Sequence, residues 1–288
     1  MKGVFHLTTG LMVIALIFAV DAQAQIVWQD DLNKAKDQAI RERKLILLDF
    51  WASWCRPCRA MDREVWNRED VAKLCNNFVC VKIKLHTTGS RSLSLWYEVN
   101  AIPTVIFIDG FGNKVLHYAG YISADSMKSI LQTLPNNFSE VYDILQKLEK
   151  QPDSVELNIA LADRYRYIGM VMREPGNSSL LLSNKYYEIA VQLDDVRKNS
   201  KLCDNIETLI AMNHLFLGEA NKARKLLERC LEKFPESENR PVQLYCLVRA
   251  NFEMRNWERV HYYLGILQND FSNHPYTKRA EELVRNNR

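Results

Sequence analysis

The stretch 45–58, LILLDFWASWCRPC, decides how this chain is read. Its first seven residues form a nearly continuous apolar run bounded by Lys44, which suits a strand buried on both faces. Asp49 is the exception within it. A buried carboxylate is costly and needs a reason. Cys55 and Cys58 follow directly, at the start of a segment that reads as a helix over 58–74. A helix N-terminus carries partial positive charge and free N–H groups, both of which stabilise a thiolate. The spacing lets the first thiol sit at the helix start while the second, one turn on, reaches its sulfur. Pro57 lies where a missing N–H costs nothing.

Working outward, residues 32–44 (LNKAKDQAIRERK) have helical spacing in Leu32, Ala35, Ala39 and Ile40. Residues 78–85 (FVCVKIKL) alternate and are β-branched, so a second strand is expected there. A short helix is expected over 91–98. Strands 104–109 and 114–118 follow, joined by a hairpin over Asp109 to Asn113. Ile102-Pro103-Thr104 opens the first of these strands, and a proline there is compatible with a cis bond turning the chain toward the thiols. Ser123 is the expected N-cap of a helix reaching about Leu134.

Beyond Pro135 no strand candidate is found, and composition is helical to the end. Breaks near Gln151-Pro152, Leu193-Asp194, Phe234-Pro235 and Phe271 to Pro275 recur about 40 residues apart, a helix-pair repeat spacing. Small residues at 218, 220 and 223 allow close helix approach. Residues 171–183 read as an inserted loop. These units resemble tetratricopeptide repeats. The resemblance implies stacked helix pairs, because a single unit cannot bury its own face.

The first 24 residues differ from the rest. Lys2 precedes an apolar run of 10 residues, Leu11 to Val20, and then Ala22-Gln23-Ala24. That run is short for a bilayer span of about 20 residues and reads as a cleaved secretory signal. The expected organisation is a signal peptide over 1–24, an α/β domain over 25–134 and an all-α repeat domain over 135–288. Export would place the seven cysteines where disulfides persist. Seven is odd, so at least one stays unpaired within the chain. The formal charge of +3, from 38 basic against 35 acidic residues, gives no reason to expect a nucleic-acid partner.

LLDFWASWCRPC, IPTVIFIDGFG and the glycine of HYAGYIS together resemble the thioredoxin superfamily over residues 27–134. The preceding helix, Lys44 and the stretch MDREVWNREDVAKL are more similar to the C-terminal domains of the periplasmic DsbD reductases. The resemblance implies a thioredoxin-like fold and thiol–disulfide exchange without a cofactor or metal. It implies a nucleophilic Cys55, a resolving Cys58, a redox disulfide between them, a cis-Pro103 and an Asp49 active in proton transfer. Lys82 falls where such proteins place a partner for that acid. Trp54 would cover one side of the sulfurs. The backbone at Ile102 and Pro103 would pair with extended substrate. Arg56 departs from the common reductase, which has glycine there, and a cation beside Cys55 favours its thiolate.

Competing readings of the same residues remain open. Cys55 and Cys58 with Cys75 and Cys80 make a zinc site on paper, against which Cys75 sits at a helix end and Cys80 in a strand. Cys75 and Cys80 otherwise read as buried apolar cysteines rather than a second disulfide, and Cys203, Cys230 and Cys246 as helix core. The function expected is reduction of protein disulfides, supplied by a membrane-embedded electron donor, with the helical domain docking clients or partners. The alternatives are an oxidase or isomerase of the same fold, or a non-enzymatic adaptor built on a thioredoxin-like scaffold.

Overall fold

A computed structural model describes residues 25–135, 137–172 and 177–286. The expected signal peptide lies outside them. The α/β half is built from β1 (Trp28–Gln29), α1 (Leu32–Glu42), β2 (Ile46–Trp51), α2 (Arg56–Met61), α3 (Glu69–Cys75), β3 (Val79–Lys84), α4 (Ser90–Trp96), β4 (Thr104–Ile108), β5 (Lys114–Ala119) and α5 (Ala124–Thr133). Its five strands are ordered β1-β3-β2-β4-β5. β2 lies at the centre, parallel to β3 and antiparallel to β4.

That central place explains the apolar run. Ile46, Leu48 and Phe50 face a cluster with Ala35, Ala39 and Tyr97 from α1 and the end of α4. Leu45 and Leu47 point the other way, into a cluster with Met61, Val65 and Trp66. By the period of two along a strand, Asp49 shares the second face.

The helix expected over 58–74 is not continuous. α2 runs into a π-helical turn, Asp62–Trp66, closed by Asn67 N–H donating to the Asp62 carbonyl at 3.2 Å. The chain then breaks at Asn67-Arg68 and restarts as α3, with Glu69 and Asp70 in its first turn. Acidic side chains there complement the helix dipole, which favours a fresh start over continuation. β1 was not expected; two residues carry no periodicity to read.

The second half is entirely helical among the described residues: α6 (Ser139–Leu148), α7 (Val155–Met172), α8 (Ser178–Gln192), α9 (Asp194–Lys198), α10 (Ser200–Phe216), α11 (Ala220–Lys233), α12 (Arg240–Glu253), α13 (Trp257–Asp270) and α14 (Pro275–Arg285). Successive long helices pack on one another, α7 on α8, α10 on α11, α11 on α12 and α12 on α13. The breaks at Phe234-Pro235 and Phe271 to Pro275 fall between helices as read.

The loop expected over 171–183 is mostly helix. α7 reaches Met172 and α8 begins at Ser178, so 173–176 are the only residues of that stretch outside the described set. The serines that looked loop-like are buried because small side chains allow close packing. Asn177 caps α8 through Leu180 N–H at 3.3 Å, and Ser179 Oγ donates to the Val115 carbonyl of β5 at 2.7 Å. Gly169 makes room for this approach, since a Cβ there would lie 2.7 Å from Leu180 Cγ.

The sheet and the first helices of the second half share one hydrophobic core, while α11 to α14 build a second around Leu227, Leu247 and Leu267. Phe107 and Val115 of the sheet lie in the same cluster as Tyr142, Tyr165 and Tyr187 of the helices. Polar contacts tie the seam. Tyr142 Oη donates to the Lys44 carbonyl at 2.6 Å and accepts from Gly110 N–H at 2.7 Å. Tyr165 Oη donates to the buried Asp109 carboxylate at 2.7 Å. Asp109 also receives N–H groups from Phe111 and Asn113 and the Asn113 amide, which shapes the β4–β5 hairpin. A side chain at Gly110 would meet Ile40 Cγ1 at 2.5 Å, so the close approach requires glycine.

Candidate active site

Cys55 and Cys58 are joined as a disulfide, with their Cα atoms 5.3 Å apart. Cys55 is the N-cap of α2, in extended backbone geometry, and its Sγ accepts the Cys58 N–H at 3.1 Å. Pro57 falls within the first two helical positions. This is how the sequence places a sulfur among unpaired helix N–H groups. The loop before it is fastened by Arg59, whose guanidinium donates to the Ser53 carbonyl at 2.6 Å.

Ala52, Cys55 and Cys58 form a small buried cluster against which Trp51, Leu85 and Ile102 pack. The Ile102–Pro103 peptide is cis and Pro103 is buried. The Pro103 carbonyl accepts from Gly120 N–H at 2.8 Å, the glycine of the HYAGYIS stretch, held at φ +95°. Arg56 and Pro57 are exposed at the rim. Trp54 is 64% exposed and its ring lies 6.3 Å from His86, so it stands out from the surface rather than being packed into it.

Asp49 is 2% exposed. Burial is the main force on its carboxyl and pushes its pKa up to about 7; the Asp62 charge adds to the rise and Lys82 opposes it. Lys82 is the direct β3 partner of Asp49 in the sheet register. Its ammonium lies 3.7 Å from Asp49 but makes its close ion pair with Asp62. It also sits over the rings of Trp28 at 5.2 Å and Trp51 at 5.3 Å. A carboxyl that titrates near neutrality can take and return a proton in turnover.

Sequence reasoning missed Asp62, Trp28 and Trp51 as members of this group. Asp62 had a legible signal, being four residues after Cys58 and hence on the same helix face. The tryptophans had none, because their role depends on strand pairing. Among the described residues no group of three or more potential ligands for a metal ion is found.

A dithiol pair at a helix start, beside a cis-proline and at the end of the central strand of such a sheet, defines a thioredoxin-type redox domain. The thioredoxin-like domain family matches residues 32–135. Thioredoxin of Mycoplasmoides gallisepticum is 32% identical over 101 residues, 35% of this chain and 95% of that protein. The chain therefore belongs to the thioredoxin-like family of thiol–disulfide oxidoreductases. The thiol:disulfide interchange protein DsbD of Campylobacter jejuni is 27% identical over 100 residues, 34% of this chain but only 18% of DsbD. The chain thus spans less than a fifth of that relative. Among solved structures, a DsbH oxidoreductase is 19% identical, with 46% of this chain and 96% of that one covered at a TM-score of 0.35.

Proposed function

We propose that the chain is an exported oxidoreductase that reduces protein disulfides through Cys55-Arg56-Pro57-Cys58. The observation that carries this reading is the Cys55 sulfur held on the Cys58 N–H at the helix start, over a strand that buries Asp49 beside Lys82 and Asp62. In the reduced protein the Cys55 thiolate attacks a substrate disulfide, forming a mixed disulfide and releasing one substrate thiol. Cys58 passes its proton toward Asp49 and attacks Cys55 Sγ. The second substrate thiol leaves and the Cys55–Cys58 disulfide is restored. Ile102 and Pro103 offer their backbone to extended substrate, Trp54 a projecting aromatic contact, and Lys82 and Asp62 set the protonation of Asp49.

Export rests on residues 1–24 and on similarity to DsbD. Regeneration is assigned to a membrane-embedded electron donor on the resemblance to the DsbD reductases; no helix among the described residues is long and apolar enough to cross a membrane. The domain division is 25–134 and 135–288, and the tetratricopeptide-like helices would dock clients or partners.

The test is a Cys58→Ser variant, which should accumulate mixed disulfides through Cys55 while the unaltered chain reduces insulin. If neither is seen, the adaptor reading replaces this one. The exposed Arg56 keeps an oxidase in view, and the couple's potential decides between them. A value near about −270 mV supports reduction and one near about −120 mV oxidation.

A further inference from the structure

Cys75 and Cys80 lie apart from the CxxC site, and nothing in the mechanism above uses them. Cys75 ends α3 and Cys80 is the second residue of β3, with the short turn Asn76 to Phe78 between them. Cys80 Sγ lies 3.7 Å from the Cys75 carbonyl, which brings the two residues side by side. Both are unpaired and buried from bulk water. They are nevertheless not sealed in the core. Both line a cavity of about 160 Å³ at the β1 edge of the sheet, together with Lys44, Gln29 and Gln38. Two neighbouring cysteines lining one small polar cavity with a cation at its wall differ from the other buried cysteines. Cys203 and Cys230 bond instead to Lys233 and Glu207 respectively.

We propose that Cys75 and Cys80 form a second dithiol–disulfide couple, reached by low-molecular-mass disulfides through this cavity. The cavity falls below the roughly 300 Å³ at which drug-sized sites begin. It admits the sulfur end of a small disulfide such as glutathione disulfide and excludes a folded protein's disulfide. In the forward step Cys75, as thiolate, attacks one sulfur of the small disulfide. The S–S bond breaks, a mixed disulfide forms on Cys75, and one small thiol leaves with the proton Cys75 gave up. Cys80 then loses its proton and attacks Cys75 Sγ, expelling the second small thiol. Two protein thiols are oxidised and one disulfide is reduced to two thiols. The neighbouring Cys75 and burial hold the Cys80 thiol well above its ordinary pKa, and the Lys44 charge at the cavity wall acts against them. Cys80 is two residues from Lys82 on the same strand face, so the couple borders the Asp49 group without belonging to it.

The experiment uses the full chain carrying Cys55→Ser and Cys58→Ser, so that every remaining thiol lies outside the first site. The folded protein is equilibrated in glutathione redox buffers, acid-quenched, alkylated after unfolding and mapped by peptide mass spectrometry. In oxidising buffer Cys75 and Cys80 should both lose their alkylation while Cys203, Cys230 and Cys246 keep theirs. Adding Cys80→Ser should convert the loss into a stable glutathione adduct on Cys75. Oxidised thioredoxin, used as a protein disulfide, should leave the pair reduced. Full alkylation of Cys75 and Cys80 at every buffer ratio overturns the proposal. So does equal oxidation of all five thiols, the mark of an unfolded chain, or oxidation by thioredoxin as fast as by glutathione disulfide.

Discussion

Replacing Asp49 by asparagine tests the electrostatics of the site directly. In the folded chain this acid titrates at about 7, against 3.8 for an unperturbed aspartate. Between those values the folded state holds a proton that the unfolded state has released. Linkage then makes stability fall as pH rises, by about 1.4 kcal/mol per pH unit and about 4 kcal/mol across the interval. The stability is fully present below the unfolded pKa and is gone once pH has passed the folded one. Asp49→Asn keeps the shape and removes the proton, so it abolishes this slope. Urea denaturation of the oxidised protein at pH 5, 6, 7 and 8 reads the difference. The variant should gain on the unaltered chain with each step up to pH 7 and no further. A difference that is flat from pH 5 to 7 would sink the assignment of Asp49 as a near-neutral buried acid. The same substitution should slow release of the mixed disulfide at Cys55 by about 10²–10⁴-fold, the usual share of a positioned acid–base group.

Asp62→Asn should free Lys82 to turn to Asp49 and remove a neighbouring negative charge, so the bend in that pH profile should move to lower pH; movement upward refutes the reading. Tyr165→Phe removes the hydroxyl bonded to buried Asp109 and should cost about 1–3 kcal/mol in denaturant titration, the range for leaving a buried polar group short of a partner. Burial raises the Asp109 pKa, and losing Tyr165 raises it further, so the cost should shrink in acid, where the group is neutral in both chains. Gly169→Ala should destabilise by about 1–3 kcal/mol despite the better helix propensity of alanine, because the new Cβ would meet both Leu180 and Asn177 within 3 Å. A more stable alanine variant would show that the α7–α8 contact yields freely.

Legibility followed the range of the interactions. From α1 to α5, apart from the break inside 58–74, the order of strands and helices was readable because β2 is buried on both faces and α1 on one, and burial writes periodicity into sequence. The motif was readable because Cys55 and Pro57 act locally, at one helix start. The π-turn at Asp62–Trp66 was not, since no breaker residue marks it; only Glu69-Asp70 hinted that a new helix begins. The Lys82 cluster needs β1, β2, β3 and α2 at once, and sequence displays such groups only as isolated charges and tryptophans. Residues 177–183 misled for a related reason. Asn177, Ser178, Ser179 and Ser183 resemble loop composition, yet Asn177 caps α8 and the serines lie buried within it, Ser179 bonded to the sheet.

The seam between the halves bears on what the helices can do. β5 is an edge strand, and an open edge invites pairing with other chains. Here α8 packs along it, and Ser179 occupies the Val115 carbonyl. The hairpin behind it is built around Asp109, whose carboxylate is completed by Tyr165 from α7. Neither contact would survive if the helical region swung on a linker. A tethered docking module raises the effective concentration of a client over a range of positions set by linker length. Helices that share a core with the sheet cannot do that; a partner bound to them would sit at one fixed placement relative to Cys55. Docking by this region, as proposed, would therefore select by geometry. A client whose disulfide falls at the Cys55 sulfur when its other end rests on the helices would be favoured, and one whose disulfide falls short would gain nothing from being bound.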